Sequence, residues 1–318
     1  MRRTVLFLGF LIVACGLTAA PNPEDMLPFI PPQAQTVLAL DSAALRAHPA
    51  VQRFLQERAG RWAGADQEIQ AFLQEAGLDP LTDVDAVVLA LIADGPHPQG
   101  VMLVAGSFSP DRIAAAVTAR GAIPFDLAGH TAYRLPGEGA AAPEAPVFVL
   151  VSPELAVLGD PHSVAGAVHP RTRASGIVEA EVAAGRLDLN TPFWLVTLVP
   201  MGSRTVAGEG WSGTAQGGAT PLAGVERAAT AVQRAGLFGS LGSTLHLHGW
   251  ALTDTAENAE LLRDAARGAL AAMRLHATGS RPEIMEVLRG IDIRMRGDMV
   301  SFAAEFPLDF LERLSPDR

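Results

Sequence analysis

Residues 291–306 read IDIRMRGDMVSFAAEF, and the two-residue step Gly297-Asp298 at the middle fixes how the chain on either side pairs. A tight turn there sets Met295 opposite Val300, Ile293 opposite Phe302 and Ile291 opposite Ala304, all on one face. Asp292, Arg294, Arg296, Ser301 and Glu305 fall on the other. An apolar face backed by a polar one is the pattern of an antiparallel hairpin that covers a core on one side and meets water on the other. Ile293 and Phe302 are accordingly expected in the core.

The cover for that face is written just upstream. Over residues 254–276, Leu262, Ala266, Ala269 and Met273 recur at helical spacing, and Asp254 with Glu257 has the spacing of a capping box. Before the helix, TLHLHGWAL (residues 244–252) alternates as a strand. His246, His248 and Trp250 share one side of it, with Leu245 and Leu247 toward the core.

Short strands and helices continue toward the N-terminus. Residues 36–40 form an apolar strand, Asp41-Ser42 caps a brief helix, and Pro49 starts a second one through Ala59 that Gly60 closes. The Val- and Leu-rich runs 84–92 and 101–108, joined by DGPHPQG, form a hairpin. Ser109-Pro110-Asp111 opens a helix that ends at Arg120-Gly121. Strands follow at 147–151 and 155–158, then a helix capped by Asp160-Pro161. Residues 193–199 are a strand, and residues 222–235 are read as the helix after it.

This order implies an α+β fold, with antiparallel sheets and helices packed on one face. Both halves open with a strand and a helix, so two divergent ferredoxin-like halves fit the order as well. The divisions are a signal peptide at 1–14, an attachment cysteine with a proline-rich tether at 15–35, and α+β halves at 36–190 and 191–318. The second half contains a Gly-rich loop at 201–224.

The chain begins MRRTVLFLGFLIVACGLTAA: two arginines, a short apolar run, then small residues, which is the layout of a secretory signal. A membrane-spanning helix needs about 20 apolar residues, and the run from Val5 to Ala14 is half that. Leu11-Ile12-Val13-Ala14-Cys15 resembles the lipobox of bacterial lipoproteins, which implies acylation of the Cys15 thiol and cleavage before it. Cys15 is the chain's one cysteine, so it has no disulfide partner within the chain. A cut after Ala20 would leave Pro21 behind it, where proline is poorly tolerated. In the same family an aspartate after the cysteine retains the protein at the inner membrane; Gly16 stands there instead and points to the outer one.

The phrases VLALDSAALRAHPAVQRFL, TDVDAVVLAL, GSFSPDRIAAAV, HTAYRLP and AVLGDPHSVAGAV resemble exported bacterial proteins of unknown function over residues 36–170. That resemblance implies an envelope location and an α+β body, and assigns no site residue.

Composition narrows the partners. The 318 residues suit one large or two ordinary domains, and 49% apolar residues suffice for a sizeable core. Charged residues make up 18%, against roughly a quarter in an average soluble protein. The net charge is −10, and all 24 basic residues are arginine. No arginine cluster forms a stripe, so nothing supplies the phosphate contacts a nucleic acid requires.

Each candidate for chemistry stands beside a blander reading. Gly208, Gly210 and Gly213 match a dinucleotide fingerprint, but TAQGGATP follows where a helix N-terminus must receive the pyrophosphate. Ser212 and Ser240 each sit beside a glycine displaced by one place from a nucleophile elbow. His246 and His248 have the spacing to share a zinc ion with Asp254 as the nearest same-face carboxylate, or are two histidines on a polar sheet face. Asp83 with Asp85, and Glu179 with Glu181, are paired acids that serve acid–base chemistry only if one is buried with a raised pKa; otherwise they are solvated strand ends. Trp211 either tucks onto the body or stays available to a ligand, lipid or partner.

The expectation is therefore a non-catalytic exported envelope protein, a lipoprotein held to a membrane through Cys15 and acting in binding or assembly, with no cofactor or metal. An exported hydrolase or metal-dependent enzyme is the alternative.

Overall fold

The computed structural model describes residues 22–53, 67–92, 99–136, 145–171, 176–199, 230–278 and 282–308. The chain falls into two compact units, Met1–Ala183 with Leu189–Phe193 and Ala184–Asp188 with Trp194–Arg318.

In the first unit, β1 (Thr36–Asp41), β2 (Val84–Ile92) and β3 (Gln99–Gly106) form one antiparallel ladder. A meander of β4 (Ile123–Leu127), β5 (His130–Arg134), β6 (Val147–Ser152) and β7 (Leu155–Gly159) brings its last strand back beside β3. The order is β1-β2-β3-β7-β6-β5-β4. The helices are α1 (Ser42–Ala47), α2 (Gln67–Ala76), α3 (Pro110–Ala119), α4 (Pro161–Ala167) and α5 (Gly176–Ala183).

Strand β2 shows why this sheet is a core element. Its sequence VDAVVLALI has residues of both parities buried, and an aliphatic run without polar alternation needs cover on both faces. One face carries Val37, Ala39, Val88, Ala90, Leu103, Ala105, Val149 and Val157, none more than 1% exposed. The other packs Val87, Met102, Val104 and Ala156 with Leu89, Phe148 and Leu158. Ile113 and Val117 of α3 and Phe72 of α2 extend that side over Phe148. Asp41 caps α1 by accepting from the Ala44 N–H at 2.7 Å, as its sequence position predicts. Ser109 precedes α3 in the cap position but makes no side-chain cap bond.

The proline-rich stretch departs from the extended tether expected of it. Pro23–Phe29 is a 3-10 helix whose cap is reciprocal: the Asn22 side chain accepts from the Glu24 and Asp25 N–H groups, and the Asp25 carboxylate accepts from the Asn22 N–H. Met26, Leu27 and Ile30 are 1%, 6% and 1% exposed, and the element packs on β1, β2 and β3. Proline is compatible with a first helical turn, where its missing N–H is unpaired in any case. Burying three large apolar side chains outweighs the chain's preference for extension, at about 1.5–3 kcal/mol each.

The second unit has the strand order β11-β12-β10-β9-β8, from β8 (Phe193–Leu198), β9 (Val232–Leu241), β10 (Thr244–Thr253), β11 (Asp292–Arg296) and β12 (Met299–Pro307). The closing hairpin has the register read from its turn, with Met295 opposite Val300 and Ile293 opposite Phe302. Gly297 has φ +62 and Asp298 does not share a positive φ, the requirement of a II′ turn. The long helix α6 (Ala256–Thr278) lies over the apolar face, with Ala259 and Leu262 against Val300, Ala251, Ile293 and Met295. Helix α7 (Pro282–Arg289) adds Leu288 beside Leu270 and Ala277 of α6.

Several local expectations are corrected. Phe302 is 40% exposed, because it stands opposite Gly249 and its ring lies across the place of the missing side chain. Met273 is 44% exposed. Helix α6 starts at Ala256: the Asn258 N–H bonds the Thr255 hydroxyl, while the Asp254 carboxylate accepts from the Asn258 side chain. Residues 232–235 belong to strand β9, not to a helix; their Val-Gln-Arg-Ala alternation continues a hairpin with β10. The antiparallel α+β reading holds, while a ferredoxin-like order does not. Such a half inserts its third strand between its first and second, whereas β1 pairs directly with β2 and the next strands run as meanders.

The loop at 201–224, residues 222–229 and residues 54–60 lie outside the described residues; residues 49–53 are helical as expected. Both outer strands of the two orders carry marked residues. Strand β4 contains Pro124, and β11 places Asp292 and Arg294 in an ion pair at 2.6 Å.

Candidate functional site

Strand β10 does what its alternation predicts. Ala251 joins the core under α6, and the opposite face carries His246, His248 and Trp250. The partners of the two histidines come from the strands on either side, the adjoining β9 and the sequence-distant β12. His246 stands opposite Ser240 of β9 and opposite Glu305 of β12, so a hydroxyl, an imidazole and a carboxylate form one row across three strands. The His246 Nδ1 lies 3.4 Å from the Glu305 Oε1. One row along, the His248 ring stacks on Phe238, with centroids 5.4 Å apart and planes 22° apart.

Sequence spacing had offered Asp254 as the carboxylate nearest these histidines. Asp254 is instead spent on Asn258 at the start of α6, with a 2.6 Å bond. Glu305 takes that place because the hairpin register carries it there, and only the pairing of β10 with β12 could have revealed it. The row is open: the side chains of His246 and Glu305 are 40% and 69% exposed. Charge stabilisation of a reacting group depends on fixed donors in a water-excluded site, which an open sheet face does not supply. Among the described residues, no group of three or more His, Cys, Asp or Glu could hold a metal ion.

Trp250 ends the same face. Its Nε1–H donates to the Arg186 carbonyl at 2.6 Å, and the Arg186 guanidinium sits 5.4 Å from the ring centre. The indole is 6% exposed. It is an anchor for residues 184–188, within its own unit.

In the first unit the paired acids diverge. Asp83 accepts from the Asp79 N–H at 2.7 Å near the surface. Asp85 is 3% exposed and meets Arg46 of α1 at 3.1 Å. A second Arg46 nitrogen donates to the Leu81 carbonyl at 2.8 Å. Burial pushes the Asp85 carboxyl above its ordinary range; Arg46 pulls it back, and Asp41 and Asp83 push it further. Burial likewise lowers Arg46, against the pull of Asp85, Asp79 and Asp83. The condition set for acid–base chemistry, burial with a raised pKa, is met at Asp85, but the carboxylate faces a cation that holds it in place.

Glu179 and Glu181 correct their reading as solvated strand ends. They lie on α5, and Glu181 is fully buried while Glu179 is exposed. Two residues apart on a helix point about 200° apart, so a pair that would share a strand face is divided between core and water. Gly208, Gly210, Gly213, Trp211, Ser212 and Cys15 lie outside the described residues.

No family model matches the chain, and no curated protein matches it. Three solved structures are similar over most of its length. Crystal form I of TP0453 has 11% identity and a TM-score of 0.46, over 91% of this chain and 95% of that one. Crystal form III has 12% identity and a TM-score of 0.49, over 91% and 97%, and crystal form IV has 12% identity and a TM-score of 0.45, over 91% and 96%.

Proposed function

We propose that this chain is an exported envelope protein, held to a membrane by lipid on Cys15, whose folded body acts in binding or assembly. The observation that carries the reading is the N-terminal address: two arginines, an apolar run too short to span, and Leu-Ile-Val-Ala directly before the one cysteine of the chain. Thioether-linked acyl chains anchor stably when there are two or more, whereas one gives marginal binding. No described helix is long and apolar enough to cross a membrane, so lipid on Cys15 supplies the attachment in this reading. Binding is preferred to catalysis because the groups that line up best, Ser240, His246 and Glu305, stand in water.

Growth with a fatty-acid analogue, followed by fractionation of wild type and Cys15→Ser, tests the anchor. Label should enter the wild type alone, and only the wild type should partition with membranes. Unlabelled wild type, or equal partitioning of both, would make the signal an ordinary secretory one.

A further inference from the structure

We propose that the folded body is held at the bilayer surface on a leash of seven residue steps, with the 3-10 helix Pro23–Phe29 as its membrane-proximal corner. This rests on the reading of Cys15 as the lipid-bearing residue. Counting from Cys15 to the capping residue Asn22 gives seven steps. A polypeptide spans at most about 3.3–3.6 Å per residue, so the leash reaches no further than about 25 Å whatever its path. A tether running to residue 35 would have reached about 70 Å on the same arithmetic.

The short reach depends on the 3-10 helix staying packed, and several contacts hold it. Met26 and Ile30 are each 1% exposed and Leu27 is 6% exposed. The Pro28 carbonyl accepts from the Arg171 N–H at 2.9 Å, and the Gln35 N–H donates to the Leu91 carbonyl at 2.8 Å. Lengthening the leash therefore means drawing three apolar side chains into water and breaking backbone bonds to β2 and to the segment after α4.

Geometry then restricts the body. Seven strands at about 4.8 Å spacing make the first unit's sheet about 29 Å wide, more than the leash can reach. That unit cannot move clear of the membrane by its own width, and partners must come to the surface to meet it. Glu24 and Asp25 stand at the tethered corner, so anionic headgroups repel it, and proximity comes from the covalent link alone.

The test uses lipidated full-length protein in phosphatidylcholine vesicles. With Cys15 in thioether linkage, an introduced cysteine is the one free thiol. A donor dye on Asp126→Cys, on the exposed side of β4, reports energy transfer to an acceptor lipid. Inserting fifteen Gly/Ser residues between Ala20 and Pro21 adds a coil of about 20 Å and should lower transfer about two-fold or more. In a second variant, buried Ile30→Cys should resist maleimide equally on vesicles and in the released Cys15→Ser form. Equal transfer with and without the insertion, or Ile30→Cys reacting only on vesicles, overturns the leash while the anchor stands. Failure to take up fatty-acid label instead removes the anchor itself, and the leash with it.

Discussion

Gly236 stands directly opposite Trp250 in the β9–β10 ladder, and the indole lies in the space that a side chain at 236 would need. Gly236→Val should therefore destabilise the second unit by about 1–3 kcal/mol, the usual cost of overpacking. Trp250→Phe leaves the Arg186 carbonyl without its donor and should cost a similar amount. Gly268 of α6 has open space at its Cβ position, so Gly268→Ala should stabilise by about 0.5–1 kcal/mol. Urea midpoints followed by far-UV circular dichroism separate the three; a neutral Gly236→Val would mean that the ring does not lie where it is described.

Breaking the Arg46–Asp85 pair should produce a pH-dependent loss of stability. Because Asp85 is raised in the folded state, chiefly by burial, that state holds the proton more tightly than the unfolded chain. Its contribution favours folding below the unfolded value, about pH 4, and is lost as pH rises through the raised folded value. Arg46→Met removes the compensating cation and should cost about 3 kcal/mol at pH 7, the lower end for a buried pair, since Arg46 keeps 16% side-chain exposure. The deficit relative to wild type should shrink toward pH 4. A loss of equal size at both pH values would show that packing of the Arg46 stem, not charge, was removed.

Asp160 should behave in the opposite sense. Burial works against its charge, but the N–H groups of Ser163, Gly100 and His162 hold it below the ordinary carboxylate range. Its contribution is present above the unfolded value and is lost as pH falls through the lowered folded one. Asp160→Ala removes the α4 cap and the 2.9 Å tie to Gly100, and should cost about 1–2 kcal/mol near neutrality. Once pH falls below the lowered folded value, the variant and wild type should converge. Acid unfolding curves of the two proteins check this, and parallel curves would contradict it.

The Ser240–His246–Glu305 row is expected to be chemically quiet. A fluorophosphonate should not modify Ser240, since the hydroxyl stands in water, where developing charge lacks the fixed, water-excluded donors that catalysis relies on. Intact-mass analysis of wild type and Ser240→Ala reads the outcome. A covalent adduct on wild type that is absent from the variant would make the row catalytic and would favour the hydrolase reading.

Legibility followed the range of the interactions involved. The hairpin at 291–306 was readable because a two-residue turn and a polar-apolar alternation determine register locally; the register is as read at Ile293 and Met295, though Ile293 is only half-buried against α6. Phe302 could not be placed from alternation alone, since its ring settles over Gly249 on a strand about fifty residues earlier. The 3-10 helix was hidden by its prolines: composition argued for extension, while the decisive fact, a pocket for Met26 and Ile30 on β1–β3, is tertiary. Glu305 beside His246 was invisible for the same reason. Glu179 and Glu181 were read with strand period where the chain has helical period, and that choice hid the burial of Glu181 while Glu179 meets water.

Pro124 gives the outermost strand of the first unit's order a consequence for behaviour at high concentration. The bare rim of a sheet is a template on which another chain can zip. In β4 one of five residues has no N–H to offer, so a strand arriving there finds a broken row of donors and cannot extend the ladder evenly. Fibre growth from that rim is thereby disfavoured by a single covalent ring.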